Sequence, residues 1–329
     1  MSDVPPFSGP LVLVGQARSG STLLTRLLAE SGHFCLVNDA YLLQAMDDIM
    51  GQNGAEIRRL SDFCHLCIDR VAERSTADGV RTINRSVLLS AADIDALRSR
   101  ADALVQAAGT PAGILQAVLQ ETAQRAGARV WGWNSPQDYL QIDRIARLYP
   151  HARFVFLIRD PFAVLRSYKS LPAYWGAERN RYHPVLQALV WRNVVREHRR
   201  LADQMPERVR LVRYEDLVEA PQAVWTELAT LTGAFPPPPA PQSLDRNSSR
   251  AARAQALSRV EQWLCGRLTA PDRSGLGYQA PAPLAGPLGL GDLIAASFRA
   301  GLYYSRKAAG SRDMRGRIAR AIRRTAARA

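Results

Sequence analysis

Hydrophobic and polar positions along the chain follow two alternating rhythms. Leu11-Val-Leu-Val-Gly15 is a short apolar run ending on glycine, and from Ser21 onward Leu23, Leu24, Leu27 and Leu28 recur at helical spacing. This predicts strand, turn and helix within the first 31 residues. Residues 153–158 run Arg-Phe-Val-Phe-Leu-Ile, apolar on both faces as a central parallel strand requires. Further strands are expected at 34–37, 129–133 and 209–213. Helices are expected at 60–74, 91–107, 113–126, 136–148, 183–203 and 220–232, with Gly79, Gly109 and Pro111 as breaks. Another helix should start at Asp160-Pro161, with aspartate as N-cap and proline in the first turn. Residues 40–128 carry no clear strand and read as a helical insertion. Strand–helix alternation with short links gives the α/β class: a parallel sheet flanked by helices.

The pattern changes towards the end. Pro236 to Pro239 and Pro241 form a stiff extended linker, and residues 279–291 are rich in proline and glycine. The chain therefore divides into a body, 1–278, and a tail, 279–329. In the tail, Ile294, Phe298 and Leu302 lie four apart on an expected helix over 292–304. Residues 312–328 form a basic helical pattern with Met314, Ile318 and Ile322 on one side. Two readings stay open: an extension packed on its own body or on another subunit, or a helix lying on an anionic membrane surface. The first is the plainer.

Charge sharpens this division. The 43 basic and 30 acidic residues give +13. From Gln279 onward, nine arginines and Lys307 stand against Asp292 and Asp313, a surplus of +8, so the body carries only +5. The high pI is mainly a property of the tail and is weak ground for nucleic-acid binding by the body. Four cysteines are too few for a disulfide scaffold. Cys64-His-Leu-Cys67 has no second Cys/His pair at zinc-site spacing, and buried helix positions explain it more simply. The opening residues show no basic region followed by an apolar stretch, so a reducing cytoplasm is the expected compartment. No apolar run approaches the roughly 20 residues of a membrane span.

Chemistry concentrates in the first turn. Gly15-Gln16-Ala17-Arg18-Ser19-Gly20-Ser21-Thr22 has the spacing of a nucleoside-triphosphate P-loop, except that Ser21 replaces the lysine. Successive backbone N–H groups and a helix N-terminus at this position favour an anion. The cation is instead Arg18, inside the loop. A triphosphate-using enzyme needs the lysine against the β- and γ-phosphates, so a different phosphorylated donor is indicated.

With this loop the chain resembles the sulfotransferases that use 3'-phosphoadenosine 5'-phosphosulfate (PAPS), in particular bacterial and tyrosylprotein-type members with an R-S-G-[ST]-T loop. The likeness extends to Phe154-Val-Phe-Leu-Ile-Arg159-Asp-Pro161 with Ser167 eight residues after the arginine. It also takes in Val212-Arg-Tyr214-Glu-Asp-Leu217 followed by Pro221, and Gly275-Leu-Gly-Tyr278. Singly, each piece has a bland explanation: a tight connection, a helix cap, an acidic first turn. Together and in order they point one way. The resemblance covers about residues 11–278 and implies a P-loop-like sulfotransferase fold. It also implies that Arg18, Ser19, Gly20, Ser21 and Thr22 hold the 5'-phosphosulfate and that Arg159 and Ser167 hold the 3'-phosphate.

The implied reaction moves a sulfuryl group from PAPS to an acceptor hydroxyl or amine by in-line displacement, with Arg18 beside the leaving phosphate and no metal required. Residues 40–128 would shape the acceptor side. An acceptor hydroxyl needs a base. The tyrosylprotein-type enzymes carry an acidic residue 21 positions after the loop arginine, which here is Asp39; a turn or helix cap at Asn38-Asp39 explains the same residues equally well. One departure matters: Trp131-Gly-Trp-Asn134-Ser-Pro136 has asparagine where relatives often have lysine. Arg85 or Lys169 are candidate substitutes, and Arg250 is a further candidate for the 3'-phosphate. The acceptor itself is not readable. The alternatives are a P-loop kinase or other NTP-dependent transferase, with Asp160 holding Mg²⁺, and a non-catalytic basic module that binds nucleic acid or a membrane. The partners implied are PAPS, its bisphosphate product and an unidentified acceptor, with peripheral membrane contact through the tail as an option and no nucleic acid.

Overall fold

The computed structural model describes residues 8–38, 41–51, 56–76, 85–171, 180–234, 255–279 and 286–310. Asp39, the proline run, Arg250 and the basic segment 312–328 lie outside the described residues. The chain forms two compact units: residues 1–159 with 194–247, and residues 160–193 with 248–329.

The first unit holds a five-stranded, all-parallel sheet in the order β2-β3-β1-β4-β5. Its strands are β1 (Leu11–Gly15), β2 (Phe34–Asn38), β3 (Val130–Asn134), β4 (Arg153–Ile158) and β5 (Val209–Arg213). Every residue of β1, β2 and β3 is buried, which is why these strands read as continuous apolar runs and not as alternating ones.

Register sorts the side chains into two faces. Leu11 and Leu13 align with Arg153 and Val155, while Val12 and Val14 align with Phe154 and Phe156. On the first face Leu11, Leu13, Val155 and Leu157 join Leu24 and Leu28 of α1 (Ser21–Glu30) and Val224, Trp225 and Leu228 of α11 (Pro221–Thr232) in one core. Each leucine so buried stabilises by about 1.5–3 kcal/mol. On the other face, Phe156 meets His198 edge-on at 5.4 Å and Trp133 meets Tyr149 at 6.0 Å.

The edge strand β2 is not left bare. Ser86 Oγ donates to the Leu36 carbonyl at 2.7 Å and accepts from the Asn38 N–H at 3.1 Å. A side chain thus satisfies backbone groups that would otherwise invite edge pairing.

The insertion is helical, as expected, with α2 (Leu42–Met50), α3 (Glu56–Arg74), α4 (Ala91–Ser99), α5 (Ala101–Ala108) and α6 (Pro111–Arg125). One helix was expected over 91–107, but the chain breaks at Arg100, whose N–H bonds back to Leu97 in a tightened turn. Residues 136–148 also differ: a 3₁₀ turn, Pro136–Gln141, precedes α7 (Ile142–Leu148). Cys64 and Cys67 sit buried on α3, and Cys35 is buried on β2. Burial raises the thiol of Cys35 to about 12 and, with Asp102 nearby, that of Cys64 to about 11.

In the second unit, Asp160 Oδ1 accepts the Ala163 N–H at 2.7 Å and caps α8 (Pro161–Lys169). The long α9 (Pro184–Gln204) passes from this unit into the first after Asn193. β5 of the first unit is followed by α10 (Tyr214–Glu219), with Glu215 and Asp216 in its first turn. Later come α12 (Arg259–Arg273) and α13 (Leu290–Gly310). α12 opens with a capping box between Ser258 and Glu261. Its Cys265 is buried, with a thiol pushed up to about 12, chiefly by desolvation.

Lys169 Nζ donates to Glu261 at 2.7 Å and the Tyr182 hydroxyl donates to the same carboxylate at 2.6 Å. No helix among the described residues is long and apolar enough to cross a membrane.

Candidate active site

β1 ends on Gly15 at φ +148°, where an added Cβ would strike the Leu157 carbonyl oxygen of β4. The loop that follows is tight: the Ser19 N–H donates to the Gln16 carbonyl at 3.2 Å, and both residues are buried. Arg18 at φ +76° and Gly20 at φ +96° are both left-handed. For arginine that conformation costs about 1–2 kcal/mol, and strain of this kind concentrates at ligand clamps.

Gly20 is the N-cap of α1, and no side chain caps the helix. Its first N–H groups therefore form an open, electropositive end beyond the carboxyl edge of β1. Ser21 is buried and Thr22 half-buried at the same end. Ser19 Oγ is buried with no hydrogen-bond partner among the described residues, and such orphaned groups ask for an explanation.

The second cation enters from the adjacent strand. β1 pairs with β4 so that Gly15 aligns with Leu157, and Arg159 leaves β4 two residues later. Its guanidinium lies 4.2 Å from the centre of the Tyr214 ring, a stacking worth about 0.5–2 kcal/mol. Tyr214, at the start of α10, also fills the space that a Cβ on Gly20 would need. A single aromatic ring thus spans the gap between the glycine loop and Arg159.

A neutral polar group occupies the same sheet edge. Asn134, the last residue of β3, donates Nδ2–H to Oδ1 of Asn38, the last residue of β2, at 2.5 Å. Both are fully buried, and Asn38 Nδ2, Asn134 Oδ1 and the neighbouring Ser135 Oγ have no partner among the described residues. One amide donor and one amide acceptor remain for a ligand or water. Arg74 braces the pair by donating to the Asn38 carbonyl at 2.8 Å.

The sequence-derived residues distribute as follows. Arg18, Ser19, Gly20, Ser21, Thr22 and Arg159 gather at the ends of β1 and β4, within the first unit. Ser167 lies on α8 in the second unit, half-buried. Asp39 lies outside the described residues, directly after β2. Of the substitutes considered for the missing lysine, Arg85 donates to the Ser75 carbonyl at 2.8 Å and Lys169 is held by Glu261. Tyr214 and the Asn38–Asn134 pair carry more of the geometry than their sequence context announces; the Val-Arg-Tyr-Glu-Asp string was the one local signal for the tyrosine.

A model described as sulfotransferase family matches residues 10–234, and the chain belongs to that family. Sulfuryl transfer is the activity this membership implies.

Among solved structures, the sulfotransferase domain from the curacin biosynthetic pathway aligns at 19% identity and TM-score 0.52, over 84% of this chain and 100% of that one. The sulfotransferase domain of the Synechococcus PCC 7002 olefin synthase aligns at 20% identity and TM-score 0.47, over 84% and 98%. Sulfotransferase STF9 from Mycobacterium avium aligns at 14% identity and TM-score 0.46, over 85% and 79%. The first of these shows a shared fold. No curated protein matches the sequence.

Proposed function

We propose that the protein transfers a sulfuryl group from PAPS to an acceptor hydroxyl or amine. The observation that carries this is the two-cation edge: an uncapped helix N-terminus with Arg18 on one strand end, and Arg159 on the next, joined by the Tyr214 ring. An adenosine nucleotide bearing anions at two positions suits such a pair, whereas a triphosphate would lack the lysine it needs at Ser21.

In this reading the loop N–H groups, Arg18, Ser19, Ser21 and Thr22 bind the 5'-phosphosulfate, and Arg159 binds the 3'-phosphate. The donor supplies sulfur on a phosphosulfate anhydride. The acceptor oxygen attacks that sulfur, the bond to the 5'-phosphate oxygen breaks, and the electron pair leaves on the bisphosphate. Asp39 takes the acceptor proton. Arg18 and the helix end stabilise the charge that develops on the leaving oxygen. Where relatives often carry lysine, the Asn38–Asn134 amides offer hydrogen bonds without charge.

Thermal scanning with adenosine 3',5'-bisphosphate, with ATP plus Mg²⁺ and with DNA tests the reading. At a hundredfold excess over Kd, linkage gives about 2.7 kcal/mol, a rise in melting temperature of roughly 4 °C. The bisphosphate alone should produce it. Stabilisation by ATP plus Mg²⁺ and not by the bisphosphate overturns the assignment.

A further inference from the structure

α13 presents an apolar face that its own unit does not cover. Ala296 and Ala300 are buried on one side of the helix, while on the other Ile294 is 71% exposed and Phe298 73% exposed, with Leu290 and Leu302 in the same row. Further exposed apolar side chains lie on α12 and in the turn before α13. Val260 N–H donates to the Leu288 carbonyl at 3.2 Å, and beside it Trp263 is 57% exposed. Trp263, Leu288, Val260 and Arg259 line a cleft of about 340 Å³.

An exposed apolar helix face of this kind on a protein surface marks something that covers it. The packed-extension reading leaves these side chains without a cover in their own unit.

Charge identifies the cover. After Ser305 the chain carries eight arginines and Lys307 against the single acidic residue Asp313, and Arg299 precedes them on α13 itself. An anionic partner that also accepts bulky aliphatic and aromatic side chains suits this combination. A helix with an exposed apolar face, a nearby tryptophan and a strongly basic continuation has the composition of an element lying in a bilayer interface. Basic segments beside such an element are drawn to anionic headgroups.

We propose that α13 and the adjoining Trp263–Leu288 surface dock on an anionic lipid bilayer. The apolar row enters the headgroup boundary, and the arginines that follow meet lipid phosphates. The inference does not depend on the donor or on the sulfuryl-transfer chemistry.

Cosedimentation of the full-length protein with vesicles tests it, using phosphatidylcholine alone and an equal mixture with phosphatidylglycerol. Binding should require the anionic lipid. It should weaken as salt shortens the screening length from about 10 Å at 0.1 M to about 3 Å at 1 M. Ile294→Asp with Phe298→Asp should reduce it by at least about tenfold while circular dichroism and melting temperature stay unchanged. Ile294→Ser with Phe298→Ser is the milder pair should the aspartates perturb folding, and it should move binding in the same direction. The proposal is overturned if the wild type ignores anionic vesicles or if both variant pairs bind as it does. It is equally overturned if the wild type, without binding vesicles, is a dimer in light scattering that these substitutions convert to a monomer, since the row then belongs to a second copy.

Discussion

At the scale of single residues, the site rests on one close approach. Gly20 has no side chain, so the Tyr214 ring can lie against the loop while Arg159 stacks on that same ring. Arg159→Ala should therefore weaken bisphosphate binding by about tenfold to a hundredfold, the scale of a hydrogen bond to a charged group, measured by calorimetry. Asp39→Asn should behave in the opposite way, with bisphosphate affinity nearly unchanged and turnover down about a hundredfold or more. If both substitutions affect only turnover, Arg159 is not a donor ligand.

The loop and Arg159 were legible in the sequence because spacing within a few residues of a strand end fixes where they go. Tyr214 over Gly20 and the Asn38–Asn134 bond were not. They join residues far apart in the chain, and only strand order brings them together.

Among elements, local rules placed several boundaries that a glycine, proline or cap marks. Asp160-Pro161 starts α8 as its composition dictates. Nothing in Ser99-Arg100-Ala101 announces the break between α4 and α5, which arises from a tightened turn. α12 carries a local start signal in its Ser258–Glu261 capping box, but Gly266 and Pro271 within it break the helical pattern of the sequence.

That same Glu261 links elements of the second unit. Burial by itself would raise its pKa, but hydrogen bonds from Lys169, Tyr182 and the Ser258 N–H outweigh this and hold the carboxyl below its ordinary 4.5. A depressed carboxylate contributes stability that is fully present above pH 4.5 and is lost as pH falls through the lower, folded-state value. Melting temperature should thus decline on acidification below about pH 4.5. Glu261→Gln should flatten that decline and, at neutral pH, destabilise by about 1–3 kcal/mol by leaving Lys169 with only its 3.8 Å pairing to Asp292. An unaltered pH profile in the variant would exclude this carboxylate as a source of the acid sensitivity.

For the molecule as a whole, the strand–helix alternation was enough to infer a parallel sheet with helices on it. The order β2-β3-β1-β4-β5 was not accessible, because one set of apolar runs is compatible with several arrangements until register is known. The compact units were less accessible still. The chain crosses between them near 159, 193 and 247, and composition changes little at the first two crossings: one is a helix start and the other the interior of α9.

The cysteines give each of these units a built-in stopwatch. Three of the four, Cys35, Cys64 and Cys67, are sealed in the first unit and Cys265 in the second. Since only an ionised, accessible sulfur reacts, an aromatic disulfide reagent should leave the native protein colourless and titrate all four groups in denaturant. Mass spectrometry of partly alkylated protein would then tell which half opens first, and a native enzyme that colours at once would mean that the interior is not closed. The cysteine sulfur atoms, which play no part in the proposed chemistry, thereby time how the interior of each unit opens.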